Sequence, residues 1–156
     1  MKDKTNGQQM NTKFSFFLIC LLVLLLPFSC WARMVSLSAD RVNLRTAPSI
    51  KSKVKWVLGK GVPLQVISSK GKWLKVRDFE NDSGWVYGQL TTNKGHMVVK
   101  KKIVNIRSGP GTKYRIIAQA KYGVVFRTLK QIKGWAKVRH ENGTIGWISR
   151  KLLWGW

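Results

Sequence analysis

Acids, cysteine and histidine are all scarce in this chain, and each scarcity removes a kind of chemistry. Its two cysteines, Cys20 and Cys30, both precede Ala32. A chain cut after Ala32 keeps no thiol, so disulfide stapling, cysteine nucleophiles and thiolate metal sites vanish together. The two histidines, His96 and His140, lie far apart with no ligand-spaced partner for zinc. Acids number six against 29 lysines and arginines. Asp78, Glu80 and Asp82 gather at one turn, whereas the matching stretch later in the chain keeps only Glu141, which reads as a solvated turn rather than as a hydrolytic carboxylate pair. Gly109-Pro110-Gly111-Thr112-Lys113 lacks the glycine spacing of a phosphate loop, and Pro110 removes a backbone donor that such a cradle needs. The sequence predicts a non-enzyme with no cofactor and no metal.

What is present is positive charge. A formal net charge of +23 favours an anionic partner: nucleic acid, lipid headgroups or an acidic wall polymer. The first segment narrows that choice. Lys2, Lys4 and Lys13 precede the apolar run from Phe14 to Leu26, which Pro27 closes, and Cys30-Trp31-Ala32 supplies small residues for a peptidase. These features predict a signal peptide over residues 1–32, with Met10 an alternative start and cleavage after Ala32. Phe14 to Ala32 is also long enough for an uncleaved anchor, the one membrane attachment the sequence suggests apart from a less favoured lipid on Cys30. Export to the periplasm or medium argues against a specific nucleic-acid partner.

The remainder says one thing twice. Val42-Asn43-Leu44-Arg45-Thr46-Ala47-Pro48 returns as Val104-Asn105-Ile106-Arg107-Ser108-Gly109-Pro110, and the same offset holds without a gap to Leu90 and Leu152. Lys72-Trp73 matches Gly134-Trp135, and Gly84-Trp85-Val86 matches Gly146-Trp147-Ile148. Short alternating runs predict strands at Val35–Ser38, Val62–Ile67, Trp73–Arg77 and Trp85–Tyr87 and at their counterparts, with Asn142-Gly143 expected as the two positive-φ residues of a tight hairpin. A unit of about sixty residues is near the lower limit for folding without staples, and closing about five strands into a barrel removes exposed edges. The predicted fold is all-β, two tandem small barrels over 34–92 and 96–156 joined by a linker at Thr91-Thr92-Asn93-Lys94-Gly95.

The opening Val104–Thr112, then Gly123, Gly134-Trp135-Ala136-Lys137-Val138 and Gly146-Trp147-Ile148, closely resembles the bacterial SH3 family. The first copy departs at Thr46-Ala47 and Lys72. The resemblance implies SH3-like barrels. It also implies a noncatalytic targeting or binding role toward cell-wall material, commonly peptidoglycan peptides, in modules that often accompany a hydrolase domain. Peptidoglycan or another anionic envelope polymer is the expected partner. A scaffold that docks an envelope enzyme or other protein is the alternative.

Alternation sends Leu74 and Val76 inward and leaves Trp73, Lys75 and Arg77 on the opposite face, as it does Trp135, Lys137 and Arg139. An indole beside two cations suits a sugar or peptide bearing a carboxylate or phosphate, although in so small a barrel a tryptophan can simply cover an open end. Trp56 and Tyr114, in or after the loop following the Pro motif, are further binding candidates. Trp85, Tyr87 and Trp147 are expected to pack. Asn43 and Asn105 are expected to hold the turn by bonding loop backbone, while Arg45 and Arg107 are open to pairing with an acid or to facing a groove.

Overall fold

A computed structural model describes residues 33–156; the expected signal peptide, its cleavage site and both cysteines lie outside the described residues. Among the described residues fourteen strands follow one another, with helix limited to two single 3₁₀ turns, Gly88–Leu90 and Arg150–Leu152. The first seven are β1 (Met34–Leu37), β2 (Val42–Arg45), β3 (Val54–Leu58), β4 (Pro63–Lys70), β5 (Trp73–Arg77), β6 (Ser83–Tyr87) and β7 (Thr91–Thr92). They form one antiparallel sheet in the order β3-β2-β6-β5-β4-β1-β7. The second seven are β8 (His96–Val99), β9 (Ile103–Arg107), β10 (Ile116–Lys121), β11 (Val125–Ile132), β12 (Trp135–Arg139), β13 (Ile145–Ser149) and β14 (Leu153–Gly155). Their order, β10-β9-β13-β12-β11-β8-β14, repeats the first position for position. Bulges between Val66 and Ser68 and between Thr128 and Lys130 bend each sheet round its own core.

The strand count exceeds the expected five because two kinds of strand leave little periodic signal. Edge strand β3 has no buried residue, so nothing alternates, and β7 is only two residues long. β7 pairs with β1, which moves Thr91 and Thr92 out of the expected linker and leaves Asn93-Lys94-Gly95 between the barrels.

Each barrel has one core. Val35, Leu37, Leu44, Leu64, Val76 and Val86 fill the first; Met97, Val99, Ile106, Phe126, Ala136, Val138, Ile148 and Leu153 fill the second. Leu64 and Leu74 of one become Phe126 and Ala136 of the other, a large and a small side chain replacing two of middle size.

The glycine of each later Gly-Trp pair is dictated by strand proximity. A Cβ on Gly146 would stand 2.4 Å from Ile106 Cγ2 and 2.9 Å from the Arg107 carbonyl; on Gly84 it would stand 2.7 Å from Leu44 Cγ. The earlier Lys72/Gly134 difference has another cause: in the β4–β5 turn only Gly71 has a positive φ, whereas the β11–β12 turn places both Lys133 and Gly134 there. The β12–β13 hairpin differs from expectation. Only Gly143 has a positive φ, and the turn closes from His140 N to the Thr144 carbonyl, a three-residue loop in which Asn142 Oδ1 accepts from Thr144 N.

The barrels touch mainly through residues in which the two copies differ. The Phe79 and Tyr122 rings lie 5.4 Å apart, and Tyr122 Oη donates to Glu80 Oε1 at 2.5 Å. The counterparts of these three residues are Glu141, Lys60 and Asn142. Gly61 packs against His96 and Val125, so close that a Cβ there would stand 3.0 Å from the imidazole. Among the described residues no helix is long and apolar enough to cross a membrane.

Candidate functional site

A groove runs beside the tryptophan that opens β5, and a second one beside the tryptophan that opens β12. The first, about 260 Å³, is lined by Asn43, Arg45, Ile50, Trp73, Tyr87 and Leu90, with Arg41 at one side. The second, about 480 Å³, is lined by Asn105, Arg107, Thr112, Trp135, Ser149 and Leu152, with Lys133 and Lys151 adding charge. These six positions correspond one to one under the repeat, and Asn, Arg, Trp and Leu are identical in both. The volumes differ for a visible reason. The Tyr87 ring meets Trp73 edge-on at 5.5 Å and fills space that Ser149 leaves open.

Both tryptophans are half-buried and line their grooves. Arg45 and Arg107 do two jobs. Arg45 Nη1 donates to the Ser52 carbonyl at 2.7 Å, and Arg107 Nη1 donates to the carbonyls of Thr112 and Tyr114 at 2.9 and 2.8 Å. Each arginine thus pins the loop after the Pro motif while lining the groove. The sole ion pair among the described residues joins Lys55 to Asp82, so neither arginine is paired with an acid. Asn105 does not bond loop backbone; its Oδ1 accepts from Gln119 Nε2 at 2.9 Å on the neighbouring strand.

The remaining candidates fall outside the grooves. Lys75 and Lys137 sit directly opposite Trp85 and Trp147, on the outward face but beyond the groove lining. Arg77 and Arg139 lie four residues from the tryptophans, roughly 13 Å along an extended strand. Arg77 turns instead to Gln65, donating from Nη2 to Oε1 at 2.6 Å. Arg139 faces the seam between the barrels. Trp56, 54% exposed on β3, donates from Nε1 to Asp82 Oδ2 at 3.2 Å. The Tyr114 ring covers Gly109 and Gly111; a Cβ on Gly109 would stand 2.4 Å from it. The first copy has Ala47 at that place because Ser52 replaces the tyrosine and ties the loop by donating to the Ala47 and Ser49 carbonyls.

Asn43, Asn105 and Tyr87 line the grooves although the sequence pattern assigned the asparagines to the turn and the tyrosine to packing. The signal for the asparagines was present in the repeat, since a polar residue kept at the same place in both copies beside a kept tryptophan marks a shared surface. The described residues hold no cluster of three or more metal-ligating side chains.

A family model described as "Bacterial SH3 domain" matches residues 38–92 and again 100–155. The chain is 22% identical over 92% of its length to the putative N-acetylmuramoyl-L-alanine amidase YrvJ of Bacillus subtilis, and it spans 31% of that protein. An NlpC/P60 family protein from Bacillus cereus has a similar solved structure: 16% identity, TM-score 0.38, 80% of this chain and 56% of the other. NlpC2 from Trichomonas vaginalis is similar over 79% of this chain and 48% of the other, with 15% identity and a TM-score of 0.36.

Proposed function

The chain belongs to the bacterial SH3 domain family, and from that premise we propose that it is a noncatalytic peptidoglycan-binding protein acting outside the cytoplasm, with one binding groove in each barrel. The observation that carries the reading is the matched pair of grooves, in which Asn, Arg, Trp and Leu recur position for position. The half-buried indoles of Trp73 and Trp135 offer a flat apolar face to a sugar ring or peptide chain. Arg45 and Arg107, already fixed by loop carbonyls, present guanidinium N–H groups to a carboxylate at little further cost in side-chain entropy. Asn43 and Asn105 can both donate to and accept from a peptide group. The similarity to a protein named as an N-acetylmuramoyl-L-alanine amidase supports a ligand in which muramoyl sugar and peptide meet.

The test is co-sedimentation with purified sacculi at moderate salt. Wild type pellets with the wall. W73A and W135A each weaken retention and the double variant loses it, while thermal unfolding keeps its cooperativity. Retention of the double variant at the wild-type level would refute the groove assignment, and wild type left in the supernatant would refute wall binding.

A further inference from the structure

A third recess, about 510 Å³, lies at the seam of the two barrels and shares no lining residue with either groove. Its floor is a row of basic side chains on three adjacent strands. Arg127 of β11 stands directly opposite Arg139 of β12 and directly opposite His96 of β8. Lys60, on the β3–β4 loop of the first barrel, completes the set from the other side.

The repeat supplies its own control. At the matching place the first barrel has Gln65 opposite Arg77, and Arg77 donates to Gln65 Oε1 from both Nε and Nη2, at 3.2 and 2.6 Å. In the second barrel the acceptor has become a second arginine. Like charges directly opposite on paired strands are destabilising. Neither arginine is in an ion pair among the described residues. Asp40 and Glu141 also line the recess, but Asp40 accepts from the Lys60 backbone N–H at 3.4 Å and neither acid pairs with a cation there.

We propose that the seam is an oxyanion site, in which Arg127 and Arg139 together hold a phosphoryl or carboxyl group and Lys60 closes over it from the first barrel. A bound oxyanion restores the acceptor that Gln65 provides in the first copy and relieves the repulsion between the two guanidinium groups. The recess is large enough to take that group attached to a sugar or short chain. The site depends on both barrels being present and stands or falls independently of the tryptophan grooves.

The test is thermal unfolding and calorimetric titration of the full chain with inorganic phosphate and, separately, succinate, against sodium chloride at matched ionic strength. Whichever anion fits best raises the melting temperature beyond the chloride control and identifies phosphoryl or carboxyl as the preferred group. R127Q recreates the Gln–Arg pair of the first barrel. It melts higher than wild type in chloride and binds the anion about tenfold or more weakly. R139Q weakens binding likewise, K101Q, which removes one exposed charge elsewhere, leaves it unchanged, and the W73A/W135A double variant keeps it. Phosphate and succinate both acting as chloride does would overturn the proposal. So would R127Q and R139Q binding as wild type does, or K101Q weakening binding as much as they do, the mark of a diffuse field.

Discussion

Adding one methyl group at two glycines gives opposite results in this structure. In G146A the new Cβ arrives 2.4 Å from Ile106 Cγ2, 2.9 Å from the Arg107 carbonyl and 3.0 Å from Ile117 Cδ1. Apolar carbons rest about 3.5–4.0 Å apart, so a gap of about 1 Å must open. Ile106 is buried and β-branched, with χ1 restricted, and the carbonyl belongs to backbone; neither yields cheaply. Overpacking of this kind costs about 1–3 kcal/mol, and the entropy that alanine removes from the unfolded chain returns about 0.4–1 kcal/mol. At the middle of both ranges the net loss is about 1.3 kcal/mol, a fall in melting temperature of about 5–10 °C for a unit of this size. In G59A nothing lies within 4 Å of the new Cβ and the backbone is not in the left-handed region, so only the entropic gain remains and the protein melts a few degrees higher. Differential scanning calorimetry of both variants decides the matter. If G146A matches wild type, or if both shift in the same direction, the close approach of β13 to β9 does not explain the Gly-Trp motif.

The other predictions use the same contacts. G109A destabilises while Tyr114 is present and is tolerated in G109A/Y114S, which imitates Ala47 and Ser52; strictly additive effects in this double-mutant cycle would contradict the account. The Tyr122 hydroxyl is held above the ordinary 10.0, chiefly because it donates a hydrogen bond to Glu80, so this tie between the barrels is intact below pH 10 and is lost as pH rises beyond it. E80Q returns the tyrosinate absorbance transition toward the ordinary value. Burial lowers the His96 imidazole below its ordinary 6.5, opposed by its bond to the Lys94 carbonyl and assisted by the charges of Arg127 and Lys94. The unfolded chain therefore takes up this proton first, stability declines as pH falls below 6.5, and H96Q flattens that decline in a pH series of melting curves.

The fold was legible because the core-facing strands alternate and because the sequence states the pattern twice. Val76 and Val86, like Val138 and Ile148, are buried as their parity requires. The edge strand β3 was not legible, since a strand open to solvent on both faces has no reason to alternate. For the site, the pattern correctly separated the outward face of β5 and β12 but could not measure distance along it. Trp73 and Arg77 share a face, yet only the tryptophan reaches the groove, and its neighbours there, apart from Tyr87 and Leu90, come from β2 and from the loop that Arg45 pins. Those neighbours are distant in sequence and meet only once β2 pairs with β6. The seam was hidden for another reason: Gln65 and Arg127 differ between the copies, and attention to what repeats passes over what has diverged.

Asn93-Lys94-Gly95, bounded by a strand anchored in each barrel and backed by the Phe79–Glu80–Tyr122 contact, leaves the two halves little freedom to swivel. A flexible tether would let paired modules reach epitopes at many separations, whereas this mounting behaves as a caliper set to one opening. Any polymer that engages both halves at once must present its epitopes at that period, so avidity becomes a measure of the lattice spacing of the target as well as of its chemistry.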